Sequence, residues 1–301
     1  MPLTGQIELT DHRYGKAENR VVRFTKENAR HEIRDVNVST TLRGDFAAAY
    51  TEGDQRHVLP TDTQKNTAFA FAKDPGLDTV EDYAIALATH FVDTVEPVSS
   101  ARIDVECFGW RRVSIDGAEH EHTWVRQGPQ VRTAAVTVAG AGAQRRTWVL
   151  GGIKDLVLLK STGSEFAGFL VDEYTTLAPT HDRVLATSLD VQWRFAEHSG
   201  FDWDETYTGI EATLLELFAT TYSKALQQTL YAMGTAALER FPMLAEIRLT
   251  APNKHHFDYD LARFGIENAG EVFWAADRPY GSIHATLQRA DAPEAGIAWQ
   301  P

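Results

Sequence analysis

APNKHHF, residues 251–257, places an amide, an amine and two imidazoles in a segment that otherwise has the composition of a β-strand. Side chains alternate between the two faces of a strand. We therefore expect Asn253, His255 and Phe257 on one face, with Lys254 and His256 on the other. An amide and an imidazole on one face can hold a small polar ligand, although a structural or solvent-exposed pair is equally compatible with these residues alone.

The overall composition is that of a soluble globular protein. The 301 residues suffice for two domains of about 150 residues each. No run approaches the roughly 18 apolar residues that a membrane span requires, so we expect no membrane association. The net charge of −13 argues against nucleic-acid binding, which needs a basic face. An anionic ligand would need a local cationic pocket.

Cysteine and histidine content argues against a metal centre. The single cysteine, Cys107, excludes an internal disulfide and a cysteine-built metal cage. The pair in His120-Glu121-His122 could chelate a metal, but an alternating pair near a turn is typical of solvated side chains, and we predict no metal site. The N-terminus lacks a secretion signal and the C-terminus lacks a peroxisomal Ser-Lys-Leu-like tripeptide, so we expect a cytoplasmic, bacterial-type protein.

The two halves of the chain share one order of elements: strand, strand, helix, helix, strand, strand. Apolar residues at helical spacing follow Thr79, a candidate N-cap, and a long helical region at 205–241 is expected to break near Tyr222-Ser223. The small, flexible segment 138–146 predicts a hairpin turn between strands. β-strands are predicted at 19–24, 31–38, 103–108, 131–138, 147–150, 156–160, 191–195, 245–249 and 271–275.

Helices inserted between antiparallel strands cover one face of the sheet and leave the other open. The pattern therefore predicts an α+β fold with an N-terminal domain at 1–145 and a C-terminal domain at 146–301. Open sheet faces of this kind are often closed by a neighbouring chain, so we expect an oligomer.

Four polar segments could carry chemistry: 13–16, 60–67, 159–183 and 226–229. Each also has a plain structural interpretation: a surface lysine, a capped loop entering a helix, a locally packed loop and an ordinary helical glutamine. Motifs for nucleotide phosphates, for zinc proteases and for serine hydrolases (G-x-G-x-x-G, G-K-[ST], H-E-x-x-H, G-x-S-x-G) do not occur.

Together with 251–257, these segments resemble the urate oxidase (uricase) family over nearly the whole chain. The matching residues are Tyr14-Gly15-Lys16, Thr61-Asp62, Lys65-Asn66-Thr67, Leu159-Lys160-Ser161-Thr162, Phe166, Gly168-Phe169, Asp172-Glu173-Tyr174-Thr175-Thr176-Leu177, Asp182-Arg183, Gln227, Pro252-Asn253-Lys254-His255 and Ala276-Asp277-Arg278-Pro279-Tyr280-Gly281.

The resemblance implies two tandem tunnelling-fold (T-fold) domains, each an antiparallel four-stranded sheet with two helices on one face. It implies a homotetramer with active sites at subunit interfaces. The implied reaction belongs to purine degradation: urate and O2 give 5-hydroxyisourate and hydrogen peroxide, with no metal and no organic cofactor.

The resemblance also implies roles for individual residues. The catalytic residues would be Lys16, Thr61 and His255, with Lys16 deprotonating the Thr61 hydroxyl and His255 shuttling protons. Thr61 and Asn253 would hold O2 and later the attacking water. The substrate-binding residues would be Thr61, Asp62, Phe166, Arg183, Leu226, Gln227 and Asn253. One subunit would provide Lys16 and Thr61, and another would provide Phe166, Arg183, Gln227, Asn253 and His255.

Two other functions stay open. Another T-fold enzyme acting on a purine or pterin would usually need a zinc site or a nucleophilic cysteine, and Cys107 lies outside the four segments. A catalytically inactive purine-binding homologue would need Phe166, Arg183 and Gln227 but not Lys16.

Overall fold

The computed structural model describes residues 5–276 and 278–301. Asp277, in the last of the matching motifs, and residues 1–4 lie outside this range. The chain divides into two compact units. The first comprises Met1–Gln127, Arg132–Leu150 and Ala295–Pro301, and the second comprises Gly128–Val131 and Gly151–Glu294. Among the described helices, none is long and apolar enough to cross a membrane.

The first unit has the predicted order of strands and helices, with one additional short helix after the second strand. Its elements are β1 (Tyr14–Thr25), β2 (Glu32–Gly44), α1 (Ala47–Thr51), α2 (Thr61–Lys73), α3 (Val80–Thr94), β3 (Val98–Ile115) and β4 (Ala118–Ala139). The strands lie in the order β1-β2-β3-β4, and β2 is antiparallel to both β1 and β3. The predicted turn after β4 is confirmed as a short 3-10 segment, Gly142–Gln144.

The core of the first unit lies between α3 and the sheet. The Thr79 hydroxyl accepts a hydrogen bond from the Asp82 N–H, which confirms the predicted N-cap. Tyr83, Leu87 and Phe91 recur along one stripe of α3 and are almost fully buried. Tyr83 also donates its hydroxyl to the Ala68 carbonyl at 2.8 Å, which fastens α3 to α2.

The second unit repeats this arrangement. Its elements are β5 (Arg146–Lys160, in this unit from residue 151), β6 (Leu185–Phe195), α4 (Trp203–Thr220), α5 (Leu226–Arg240), β7 (Leu244–Asn253), β8 (His256–Asp258), β9 (Phe273–Ala275) and β10 (Gly281–Gln288). The main strands lie in the order β5-β6-β7-β10, with β7 antiparallel to β6 and β10. The helix break predicted near Tyr222-Ser223 is confirmed, because α4 ends at Thr220 and α5 begins at Leu226.

The fourth main strand of the second unit was predicted wrongly. The predicted strand at 271–275 is the short β9, which pairs with β8 in a two-stranded hairpin. The place beside β7 belongs to β10, whose side chains alternate between half-buried and exposed. Ile283, Ala285 and Leu287 show the two-residue period that could have identified this strand.

A close approach inside the second unit generates a stability prediction. Gly151 lies against the buried indole of Trp193, and a Cβ at position 151 would lie 2.4 Å from Trp193 Nε1. We expect Gly151→Ala to lower the free energy of unfolding by about 1–3 kcal/mol, because overpacking forces the core apart. Urea denaturation followed by fluorescence measures the difference. Gly128→Ala is the matched control, since nothing lies within 4 Å of a Cβ there; equal stability of the two variants would contradict the packing argument.

Candidate active site

A cavity of about 680 Å³ opens in the second unit, with space for a small planar ligand. Its walls come from the loop after β5, the start of α5, the end of β7 and the β8–β9 hairpin. Six of the predicted site residues line it: Phe166, Arg183, Leu226, Gln227, Asn253 and His255. We call these six residues the Arg183 cluster.

Arg183 carries the positive charge of the cavity. Its backbone N–H donates to the Ser164 carbonyl at 2.9 Å, and its Nε donates to the Ser164 hydroxyl at 3.2 Å. Its guanidinium carbon lies 5.3 Å from the centre of the Phe166 ring. Among the described residues no carboxylate pairs with this guanidinium. Partial burial lowers the pKa of Arg183, so its charge would be stabilised by an anionic ligand.

Phe166 is held in place by its own backbone. Its N–H donates to the Thr180 carbonyl at 2.8 Å, and the Thr180 N–H donates back to Phe166 at 3.0 Å. The Phe166 ring stacks on Phe169 with centroids 5.0 Å apart and planes 15° apart. The loop thus presents a fixed aromatic surface beside the guanidinium, suited to a flat ligand.

The first turn of α5 adds a second positive feature. Its N-cap, Ala225, offers no side-chain cap, and its carbonyl accepts hydrogen bonds from the N–H groups of Gln228 and Thr229. The preceding N–H groups, those of Leu226 and Gln227, lie where a helix provides no internal partner and where its dipole is positive. Since the Leu226 side chain is buried in the core at 2% exposure, this residue can offer the cavity its backbone.

Asn253 and His255 lie at the end of the sheet. Asn253 is the last residue of β7 and pairs with Thr187 on β6 and Gly281 on β10. The His255 ring stacks on Phe257, with centroids 5.6 Å apart. Burial, and secondarily the charge of Arg183, lowers the pKa of His255, which favours the neutral imidazole, the form that can accept a proton.

The predicted alternation of faces fails beyond Asn253. Lys254 and His256 were both expected to point away from the site, yet His256 lines the cavity. The reason is that β7 ends at Asn253 and β8 starts at His256, so 251–257 is not one continuous strand. Sequence reasoning also missed Asp258 and Phe273, which line the cavity from the hairpin and carry no distinguishing pattern along the chain.

The other predicted residues lie in the first unit. Lys16 is on β1, and its N–H donates to the Thr40 hydroxyl at 3.1 Å. Thr40 in turn donates to the Gln64 side chain at 2.7 Å, and Gln64 is fully buried on α2. Buried hydrogen bonds thereby fasten the strand that carries Lys16 to the helix that begins at Thr61.

Asp62 lies beside Thr61 in the first turn of α2. Its pKa is lowered first by the ion pair with Lys65, and also by Asn66 and the charge of Lys16. The charge of Lys16 is the smallest of these causes. We call Lys16, Thr61 and Asp62 the Lys16 cluster. The predicted site residues thus form two clusters, one in each unit.

The coupling between Arg183 and His255 generates a titration prediction. Because the charge of Arg183 disfavours protonation of His255, Arg183→Gln should raise the pKa of His255 toward its ordinary value. NMR titration of the imidazole resonances measures this pKa. Arg240→Gln is the matched control, because that guanidinium pairs with Glu216 and does not line the cavity. An unchanged His255 pKa in Arg183→Gln would contradict the coupling.

Comparison with known proteins gives consistent matches. The sequence profile of the uricase family matches residues 12–137 and 149–284. The chain is similar to the uricase of Arthrobacter globiformis, with 47% identity over 284 residues, covering 94% of this chain and 91% of that protein. The uricase of Dictyostelium discoideum is 34% identical, covering 94% of this chain and 98% of that one. The crystal structure of the Arthrobacter globiformis uricase matches with a TM-score of 0.90 at 46% identity, covering 96% and 98% of the two chains. A uricase from Bacillus fastidious, at 23% identity and a TM-score of 0.79, shares the fold.

Proposed function

Because the chain belongs to the uricase family, we propose that it oxidises urate with O2 to 5-hydroxyisourate and hydrogen peroxide. The observation that carries this proposal is the half-buried guanidinium of Arg183, which lies beside an aromatic surface and a helix N-terminus without a carboxylate partner. Urate is a flat, polar purine that is anionic at neutral pH. Its charge and its shape suit these three features.

The Arg183 cluster would bind the purine in its plane. The terminal N–H groups of Arg183 can donate to a carbonyl oxygen and a ring nitrogen together. Gln227 can offer a donor and an acceptor to the complementary edge. Phe166 would stack on the ring face and fix its plane. The backbone N–H groups at Leu226 would add further donors to this edge.

The Lys16 cluster would remove the proton that urate must lose before it passes electrons to O2. In the proposed relay Lys16 would take the proton of the Thr61 hydroxyl, and Thr61 would take the proton of urate. His255, whose lowered pKa favours the neutral imidazole, would pass protons to and from the reacting groups.

The overall reaction balances with one water. Urate gives two electrons to O2, which with two protons becomes hydrogen peroxide, and water adds its hydroxyl to the oxidised ring. Asn253 and Thr61 would hold first O2 and then this water above the purine. Neither a metal nor an organic cofactor enters this scheme, since the purine itself supplies the electrons.

We propose that each complete site combines the Arg183 cluster of one protomer with the Lys16 cluster of another, in a homotetramer. Thr61 and the backbone of Asp62 would then bind one edge of urate, and Arg183 and Gln227 would bind the opposite edge. The resemblance to the family supports this pairing, and the location of the two clusters in different units is compatible with it. A cytoplasmic location stays a prediction.

The test of the function is an activity assay with a chelator present. We expect the urate absorbance band in the ultraviolet to fall, with matching oxygen uptake and peroxide formation, whether or not the chelator is added. Strict dependence on added zinc would favour another T-fold purine or pterin enzyme. Urate binding without turnover would favour an inactive purine-binding homologue.

The proton-transfer roles generate a kinetic prediction. Lys16→Met and Thr61→Ala should each lower turnover by roughly 10–1000-fold, as expected for loss of a proton-transfer group. The KM for urate should change much less, and steady-state kinetics separates the two parameters. Lys26→Met is a matched control, because Lys26 is an exposed lysine that follows β1. A Lys16 or Thr61 variant with full turnover would remove that residue from the proposed relay.

A further inference from the structure

Ser164 holds Arg183 at two points, and we propose that it is a positioning residue that orients the Arg183 guanidinium for the substrate. The inference rests on the proposed function and deepens it. Ser164 is fully buried, and its carbonyl accepts the Arg183 backbone N–H at 2.9 Å. Its hydroxyl accepts the Arg183 Nε–H at 3.2 Å.

The second of these hydrogen bonds sets the plane of the guanidinium. All five N–H donors of arginine lie in one rigid plane that contains Nε, so fixing Nε fixes the direction of the two terminal nitrogens. Those nitrogens have no protein partner among residues 5–276 and 278–301, and they are the donors that a planar anion would use. Ser164 therefore acts on substrate through Arg183, although it does not itself line the cavity.

Ser164 is in turn held by the segment that leads into α5. Ser164 and Ser223 form a parallel β-bridge, in which the Ser223 N–H donates to the Gly163 carbonyl at 2.9 Å and the Glu165 N–H donates to the Ser223 carbonyl at 2.8 Å. The first turn of α5, with Leu226 and Gln227, starts three residues later. The same bridge thus fixes the position of Arg183 relative to the N-terminus of α5.

Loss of the hydroxyl would leave the guanidinium free to rotate. The Phe166 ring, whose centre lies 5.3 Å from the guanidinium carbon, does not set a direction in the plane. Urate binding would then have to order the arginine. We expect Ser164→Ala to raise the KM for urate about 10-fold, equivalent to about 1.4 kcal/mol, with kcat changed by less than about twofold.

A double-mutant cycle separates positioning from general damage to the fold. Lysine at position 183 has no planar fork to orient, so in an Arg183→Lys background Ser164→Ala should change the KM by less than about twofold. Ser164→Cys, which nearly keeps the volume but weakens the acceptor, should give an intermediate KM. If Ser164→Ala folds poorly, the KM of Ser164→Cys can be measured in its place.

The matched control is Thr213→Val in the same unit. The buried Thr213 hydroxyl also accepts a hydrogen bond from a guanidinium, that of Arg240, at 3.3 Å, away from the cavity. Its loss should lower stability and leave the KM unchanged. An unchanged KM in Ser164→Ala, or KM effects that multiply in the double variant, would overturn the positioning role while the proposed function stands. A wild-type protein that neither binds nor oxidises urate would overturn both.

Discussion

The uncompensated charge of Arg183 is the constraint on which the cavity depends. A half-buried guanidinium without a carboxylate lowers the stability of the folded protein. Hydrogen bonds from other groups and a bound anion offset this cost. Ser164 binds its Nε, Phe166 lies beside its plane, and the charge in turn helps to keep His255 neutral. In the proposed function, this one cation would compensate an anionic substrate in an overall acidic protein.

The proposed mechanism divides the chemistry between the two units. The second unit contains the cation, the aromatic surface and the helix N-terminus that suit binding of a flat anion. The first unit contains Lys16 on β1 and Thr61, with its hydroxyl, at the start of α2. The proposed binding groups lie in the second unit and the proposed proton-transfer groups in the first, where a buried hydrogen bond joins Thr40 to Gln64. In the proposed mechanism, neither cluster alone provides every group that oxidation of urate requires.

Periodicity and capping allowed much of the fold to be predicted. The Thr79 cap, the helix break before Leu226 and the alternation of strand pairs with helices depend on local patterns and were confirmed. The hairpin pairing of β9 and the outer position of β10 depend on tertiary contacts that no local pattern encodes. In the site, the family resemblance supplied the residues that line the cavity. Only the three-dimensional structure showed that His256 lines the cavity and that Ser164 accepts a hydrogen bond from Arg183.

Mixing two inactive variants tests the central claim. The claim is that each active site consists of the Arg183 cluster of one protomer and the Lys16 cluster of another. Thr61→Ala and Arg183→Ala proteins would be dissociated, mixed in equal amounts and reassembled. The account predicts that each variant alone is nearly inactive and that mixed oligomers regain about a quarter of the wild-type sites, those that receive both intact clusters. Activity no greater than that of the two separate variants would contradict a site shared between protomers.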